Sequence, residues 1–437
     1  MNESAPITPA RSSFPPVFWI ANSIEVLERF AYYGIYMGFG IYMEYLGFSR
    51  GELGIIQSFF LLVSYLVPVI SGTFADRFGF KKVLIVSYLA YLPSILLLLV
   101  TETFSGLALT MLSIGLAAGI FKPLIAGTVR AVSDKTNKTL GFGIFYAMVN
   151  VGASFGPIVA GKLRAISWNY AFLAAAVSIG LMLLITIFFY KEPEREIEGV
   201  TLGQKLREMG VALSDMKFAS FLLLLGLFFW LPFWSFFNLC AIYVDSNVDT
   251  AQLYLLIKSF PLIGRPVADF LSHSGDDGVR RILGETISHS GFIIMILQIP
   301  VSWTVERFKA IPTFLTGLLI TAVGLAILGT ATVFSASMVF VGIFFFAVGE
   351  MVASPRIQEY ITWIAPRDKA GLYMGTNFVA TAVGGLLSGL YTKLSGVFSD
   401  MGHAGWVWYT LAAHVLIAIP VFWGFTRITG GFVERDE

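Results

Sequence analysis

The sequence predicts an all-α membrane protein of twelve spanning helices in two bundles of six, on three observations. Of its 437 residues, 56% are hydrophobic and 13% charged, whereas ordinary soluble domains carry about 25% charge. A hydrocarbon core of about 30 Å needs about 20 apolar residues per helix, and runs of that kind recur along the whole chain. One charged interruption divides them six and six.

The first six runs lie near 17–45, 53–75, 82–101, 105–131, 140–163 and 168–190, separated by charged or Gly/Pro turns. They make residues 1–190 an N-terminal bundle. Residues 191–217, from Lys191 to Lys217, form a polar linker. Six further runs lie near 218–244, 285–305, 310–331, 335–364, 369–393 and 405–427, so 218–437 forms a C-terminal bundle. Between its first two runs, residues 245–284 are too polar, and too interrupted by Pro261 and Pro266, to cross a bilayer. There Leu253, Leu256, Ile257 and Phe260 share one helical face, which predicts a short amphipathic helix on the outer surface.

Lys and Arg collect on the cytoplasmic side of membrane proteins. With an even span count and both termini inside, 19 of the 29 basic residues fall on that side and eight outside, while Arg29 and Lys122 lie within spans. This places the chain in an inner or plasma membrane with cytoplasmic termini. The turn Ala75–Lys82 after span 2 is echoed by Val305–Ala310 after span 8, as in duplicated transporter bundles. No cleaved leader is legible at the start. The net charge of +1 argues against a nucleic-acid partner, and the single cysteine, Cys240, leaves no disulfide framework or Cys-rich metal site. Helix glycines such as Gly38 and Gly40 read as close-packing positions rather than a dimer face, so a monomer is expected.

Charges at membrane depth cost at least about 2.5–3.5 kcal/mol and mark functional cavities. Five stand out: Glu25, Glu28 and Arg29 in span 1, Lys122 in span 4 and Glu350 in span 10. At 100° per residue Glu25, Glu28, Arg29, Tyr32 and Tyr36 form one polar stripe, and Glu25 precedes Arg29 by four residues, the favourable order for a helical ion pair. Three acids against two bases leave one surplus negative charge, which one proton would neutralise. Glu25 and Glu28 are therefore candidate proton carriers. The four histidines, His273, His289, His403 and His414, lack the companions a hydrolytic site needs, so no enzyme is expected. A receptor would have no use for a buried Lys122 and Glu350.

Residues Glu25 to Gly34, EVLERFAYYG, resemble the ExxERFxYYG signature of the proton-coupled oligopeptide transporter family of the major facilitator superfamily. Tyr65-x-x-Pro68 with Gly72 and Ala75-Asp76, Gly119-Ile-Phe-Lys122-Pro123, Phe145-Tyr146 to Asn150-Val-Gly152, and Gly349-Glu350 to Ser354-Pro355 resemble further family motifs, in family order and in both halves. The resemblance implies a twelve-helix major facilitator fold that imports di- or tripeptides with protons and needs no cofactor. It implies that Arg29 and Lys122 hold the peptide carboxylate and Glu350 its ammonium, while Asn150, Tyr32, Tyr65 and Tyr146 hold its backbone. Trp234, Asn238, Ser354 and Asn377 fall at the remaining pocket positions. Glu25 and Glu28 would couple protonation to Arg29 and Lys122. Two positions depart from the pattern. Asn238-Leu239 follow Phe233-Trp234-Ser-Phe-Phe237 where the family has an acid or other polar residue and then Gln, and Asn377 follows Met374-Gly375-Thr376 where it often has Trp. The alternative reading is a transporter of another amphipathic solute, such as a peptide-like drug or siderophore.

Overall fold

The computed structural model describes residues 13–134, 136–194, 201–275, 277–364 and 370–429. Within them run twelve long helices. The first six are Pro16–Tyr45 (span 1), Arg50–Phe78 (span 2), Phe80–Leu97 (span 3), Phe104–Ala131 (span 4), Lys138–Arg164 (span 5) and Trp168–Phe188 (span 6). The last six are Met216–Asn247 (span 7), Gly284–Val305 (span 8), Ala310–Gly329 (span 9), Met338–Ile364 (span 10), Ala370–Asp400 (span 11) and Trp406–Ile428 (span 12). Ten are apolar and long enough to cross a bilayer by composition alone. The other two are span 1, which carries the charged stripe, and span 11, rich in Gly, Ser and Thr. Both have the length, at 30 and 31 residues, but dilute their apolar surface with the groups that line the interior.

Spans 1, 5 and 6 pack together, as do spans 2, 3 and 4, and span 3 joins span 6. In the second half span 9 packs between spans 10 and 12, span 8 lies on span 10, and span 11 on span 7. The halves meet where span 2 lies along span 11, span 1 against span 7, and span 5 against span 8. Spans 2 and 11 approach through glycines: a Cβ on Gly54 would stand 2.4 Å from the Gly389 carbonyl oxygen, so any larger residue would separate the halves.

Several spans start where local chemistry supplies a cap. The Ser49 hydroxyl and Glu52 carboxylate form a reciprocal capping box ahead of span 2, and the Asp215 carboxylate accepts from the N–H of Lys217 at 2.9 Å ahead of span 7. Gly79, at φ 96°, makes the sharp turn into span 3. The Glu192 carboxylate then accepts from the freed N–H groups of Phe80 and Lys81 at 2.7 and 2.8 Å. In the linker, a helix over Leu202–Ser214 lies against spans 2 and 11 at what we call the linker end.

The opposite end carries the polar excursion, and here the structure corrects the expected surface helix. Span 7 continues to Asn247, and the excursion folds into two helices, Thr250–Lys258 and Gly264–Leu271, and a hairpin of strands β1 (Ser272–Ser274) and β2 (Arg280–Ile282). Its buried face is Leu253, Tyr254 and Ile257, while Phe260 is 60% exposed; the helix ends at Lys258 and the chain turns before Phe260 can join the face. Two basic residues counted with the loops also prove to be embedded. Arg164 joins the two halves, and Arg356, buried within span 10, donates to the Val305 and Phe308 carbonyls at the end of span 8.

Candidate functional site

The charged stripe of span 1 lies in the interior of the first half. Glu25 and Glu28 are 0% exposed, and Arg29 Nε donates to Glu25 Oε1 at 2.7 Å and stands 3.3 Å from Glu28 Oε2. The guanidinium is thus shared unequally. Glu25 holds its hydrogen bond, whereas Glu28 is an ion-pair neighbour, with the Tyr91 hydroxyl of span 3 beside it. Tyr91 has no local sequence signal; only the packing of span 3 brings it there.

Two prolines place Lys122. Pro68 breaks span 2 at Val67 and has no N–H, so the Ser64 carbonyl four residues earlier loses its helical donor. Lys122 Nζ fills that vacancy at 3.1 Å. The reverse happens in span 4, where Pro123 frees the Gly119 carbonyl and the Ser71 hydroxyl donates to it at 3.3 Å. Each span therefore satisfies the carbonyl that the other's proline exposes, which fixes the ammonium at a defined depth. Lys122 also lies over the Tyr65 ring at 3.6 Å and the Tyr32 ring at 5.0 Å, a cation–π cage. Among the described residues no carboxylate stands within ion-pair distance of it, so donors remain for an incoming anion.

An aromatic wall continues from this cage into the second half. Tyr65 packs on Trp234 with centroids 5.0 Å apart and on Phe378, next to Asn377, at 6.4 Å; Tyr36 meets Trp234 edge-on at 6.3 Å. Asn377 Oδ1 is buried without a hydrogen-bond partner among the described residues. Glu350 accepts from the Ser290 hydroxyl at 3.1 Å. Span 8 makes this contact possible because it breaks at Ser288–Ser290, between a first turn over Gly284–Ile287 and the helix Gly291–Val305. Tyr33 and Tyr146 of the first half lie within electrostatic range of Glu350. Asn150 spends its amide on the Tyr146 carbonyl of its own helix at 2.9 Å, and Ser354 lies one turn past Glu350.

Asn238 has a different setting from the other pocket positions. Its Oδ1 accepts from the Tyr36 hydroxyl at 2.6 Å, its Nδ2 donates to Ser388 Oγ at 2.9 Å, and its carbonyl accepts from Gln57 at 3.2 Å. Gln57 also accepts from the Thr392 hydroxyl at 2.7 Å. These bonds join spans 1 and 2 to spans 7 and 11, on the side toward the polar excursion. The side chain is committed to holding the halves together, and Gln57, Ser388 and Thr392 are partners that local sequence patterns do not reveal.

Two sets of similarities bear on this arrangement. The chain is 26% identical over 168 residues to the quinolone resistance protein NorA of Staphylococcus aureus, a stretch that spans 43% of that protein and 37% of this one. It is 21% identical over 399 residues, 86% of this chain and 88% of the relative, to a Na(+), Li(+), K(+)/H(+) antiporter of Planococcus maritimus. Among solved structures, a POT family transporter in complex with 5-aminolevulinic acid superposes with a TM-score of 0.75 at 19% identity, over 94% of this chain and 96% of that one. The nucleoside transporter NupG superposes at 0.70 and 13% identity, over 94% and 99%. At these identities the likeness is one of fold. The family model for the Major Facilitator Superfamily matches residues 23–284, more than half of the chain. The chain is therefore a multi-pass membrane protein belonging to the Major Facilitator Superfamily of transporters.

Proposed function

We propose that the chain is a proton-coupled symporter importing di- or tripeptides by alternating access, within the proton-coupled oligopeptide transporter family. The observation that carries this reading is the division of charge. Lys122, caged by Tyr32 and Tyr65 with donors to spare, lies in one half, and Glu350, hydrogen-bonded among the described residues to a hydroxyl and to no cation, lies in the other. A zwitterion bridging the halves would satisfy both. Its carboxylate would meet Lys122 and Arg29 and its ammonium Glu350, with Tyr146, Asn150 and Ser354 near the peptide and Trp234 and Asn377 on the wall. The proton would reside on Glu28, the acid without a hydrogen bond to Arg29, and Glu25 would keep Arg29 in place.

The linker end is read as cytoplasmic, following the basic residues, and residues 1–190 would rock against 218–437 across the 191–217 linker. In this structure the Asn238 and Gln57 bonds hold the excursion end shut, so the pathway would open toward the cytoplasm. The pocket needs one copy of the chain, so a monomer would suffice. Uptake of a labelled dipeptide into proteoliposomes under an imposed inward proton gradient tests the reading: accumulation above equilibrium is expected, and indifference to unmodified di- and tripeptides at millimolar concentration removes it. Cysteines replacing Asn137 and Thr201 should label only from the cytoplasm, and one replacing Leu262 only from outside.

A second reading is favoured by the relatives named for drug resistance and cation/proton antiport. It is a transporter of another amphipathic or zwitterionic solute, a peptide-like drug or siderophore, in either direction. Efflux of such a solute by the same proteoliposomes, with no peptide uptake, would establish it instead.

A further inference from the structure

We propose that Asp245 and Glu285 form a proton-binding site at the outer gate, filled when the gate opens and emptied when Arg164 closes over it. The site lies away from the span 1 stripe and away from the pocket. Arg164, the last residue of span 5, belongs to the first half; Asp245 near the end of span 7 and Glu285 at the start of span 8 belong to the second. Arg164 Nη2 donates to Asp245 Oδ2 at 2.6 Å and to Glu285 Oε2 at 2.7 Å, and Nε donates to Glu285 Oε1. One guanidinium thus bridges two carboxylates across the boundary between halves.

Asp245 is also fixed to the helix that carries Glu285, and Glu285 packs on span 5 beside Arg164. Asp245 Oδ1 accepts the Gly284 N–H at 2.6 Å, which ties span 7 to the first turn of span 8. Glu285 is buried against Gly161, where a Cβ would stand 2.8 Å from its Oε1. If the halves part at this end, Arg164 leaves with span 5, while Asp245 and Glu285 stay together with no cation between them. Two carboxylates so placed repel, and a shared proton relieves the repulsion. The open gate therefore binds a proton that the closed gate excludes, and by linkage an acidic exterior favours opening.

The surrounding charges leave this balance intact. On span 5 Lys162 points to the Asp269 carbonyl at 3.5 Å, and Asp269 pairs with Arg280 of the hairpin at 2.9 Å. On span 1 Glu44 is held by Arg50 at 2.7 Å. The span 6 neighbour of Arg164 is the neutral Trp168 ring, 5.3 Å from Cζ. His289 of span 8 lies one turn past Glu285, its imidazole buried beside the Phe292 ring. The site biases the gate and does not itself carry a proton inward.

The inference rests on the rocking of two halves with the excursion end outside, and is independent of the peptide assignment. Spin labels on Ile166→Cys and Leu262→Cys in the full chain in nanodiscs report the separation at this end by pulsed dipolar spectroscopy. The open fraction of the wild type should rise as pH falls from about 8 to about 5. Arg164→Gln should be open at every pH, having lost both the closing contact and the pH response, whereas Arg164→Lys should close and keep part of the response. Glu285→Gln leaves one acid for one base, and its response should move to lower pH. A wild-type separation that ignores pH while Arg164→Gln opens the gate overturns the proton site and leaves the rocking halves standing. A separation fixed in every variant overturns both.

Discussion

The two halves of this transporter handle buried charge differently. The first gathers Glu25, Glu28, Arg29 and Lys122, and most of that charge is answered internally: Arg29 by two acids, Lys122 by a carbonyl and two rings. The second presents Glu350 to the shared interior, where among the described residues the Ser290 hydroxyl is its hydrogen-bond partner. A carboxylate without a cation is expensive in such a setting, so Glu350 is the group with most to gain from an incoming ammonium. On the proposed reading, proton coupling belongs to the first half and recognition to the boundary, and that division can be broken at graded points.

The largest effect is expected at Glu28. Glu28→Gln should abolish proton-driven accumulation and leave counterflow exchange partly intact, because exchange needs no proton release. Glu25→Gln should act in the same direction more mildly. Unchanged accumulation at a fixed pH gradient in both variants would remove coupling from the first half. Next come the substrate ends. Acetylating the amine or amidating the carboxylate of a dipeptide strands one buried charge, at about 1–3 kcal/mol, and should weaken binding about tenfold, one decade being 1.4 kcal/mol. Glu350→Gln should forgive only the acetylated peptide and Lys122→Gln only the amidated one. If each variant tolerates both, the two halves do not divide the zwitterion.

Smaller effects probe the supports. Ser71→Ala strands the carbonyl freed by Pro123 and should cost about 1 kcal/mol of stability, read as a lower unfolding temperature with unchanged peptide affinity. An unchanged temperature would show that the Ser71 bond adds nothing to the positioning of span 4. The least effect belongs to the exposed hairpin. The Arg281 hydrogen bonds hold the Asp277 carboxyl below its ordinary 3.8, at about 2. A depressed carboxyl contributes stability above its unfolded value that is lost as pH falls, so hairpin protection in hydrogen exchange should weaken only between about pH 4 and 2. Asp277→Asn should leave transport at neutral pH untouched; a transport defect there would give the excursion a role in gating.

The charges of span 1 were legible because their chemistry is local: 3.6-residue periodicity brings Glu25 and Arg29 onto one face, and the 2.7 Å bond follows. Lys122 and Glu350 were legible for a related reason, since a charge inside an apolar run is conspicuous wherever it points. For Asn238, type and position are visible in the sequence while its partner is not. The residue that fills it, Tyr36, is 202 positions away. The excursion differs from the expected face at Phe260 for a local reason, since the helix stops at Lys258 before that residue can join its buried face.

The sequence by itself therefore determined the spanning helices, their division into six and six, and which spans carry charge, because hydropathy and helical period act over a few residues. Tertiary structure alone decided that Lys122 answers a carbonyl exposed by a proline on another helix, that Asn238 bonds Tyr36, and that Arg164 meets Asp245 and Glu285. Those contacts join residues 58 to 202 positions apart. They are set by how whole helices lie against one another, which no local pattern encodes.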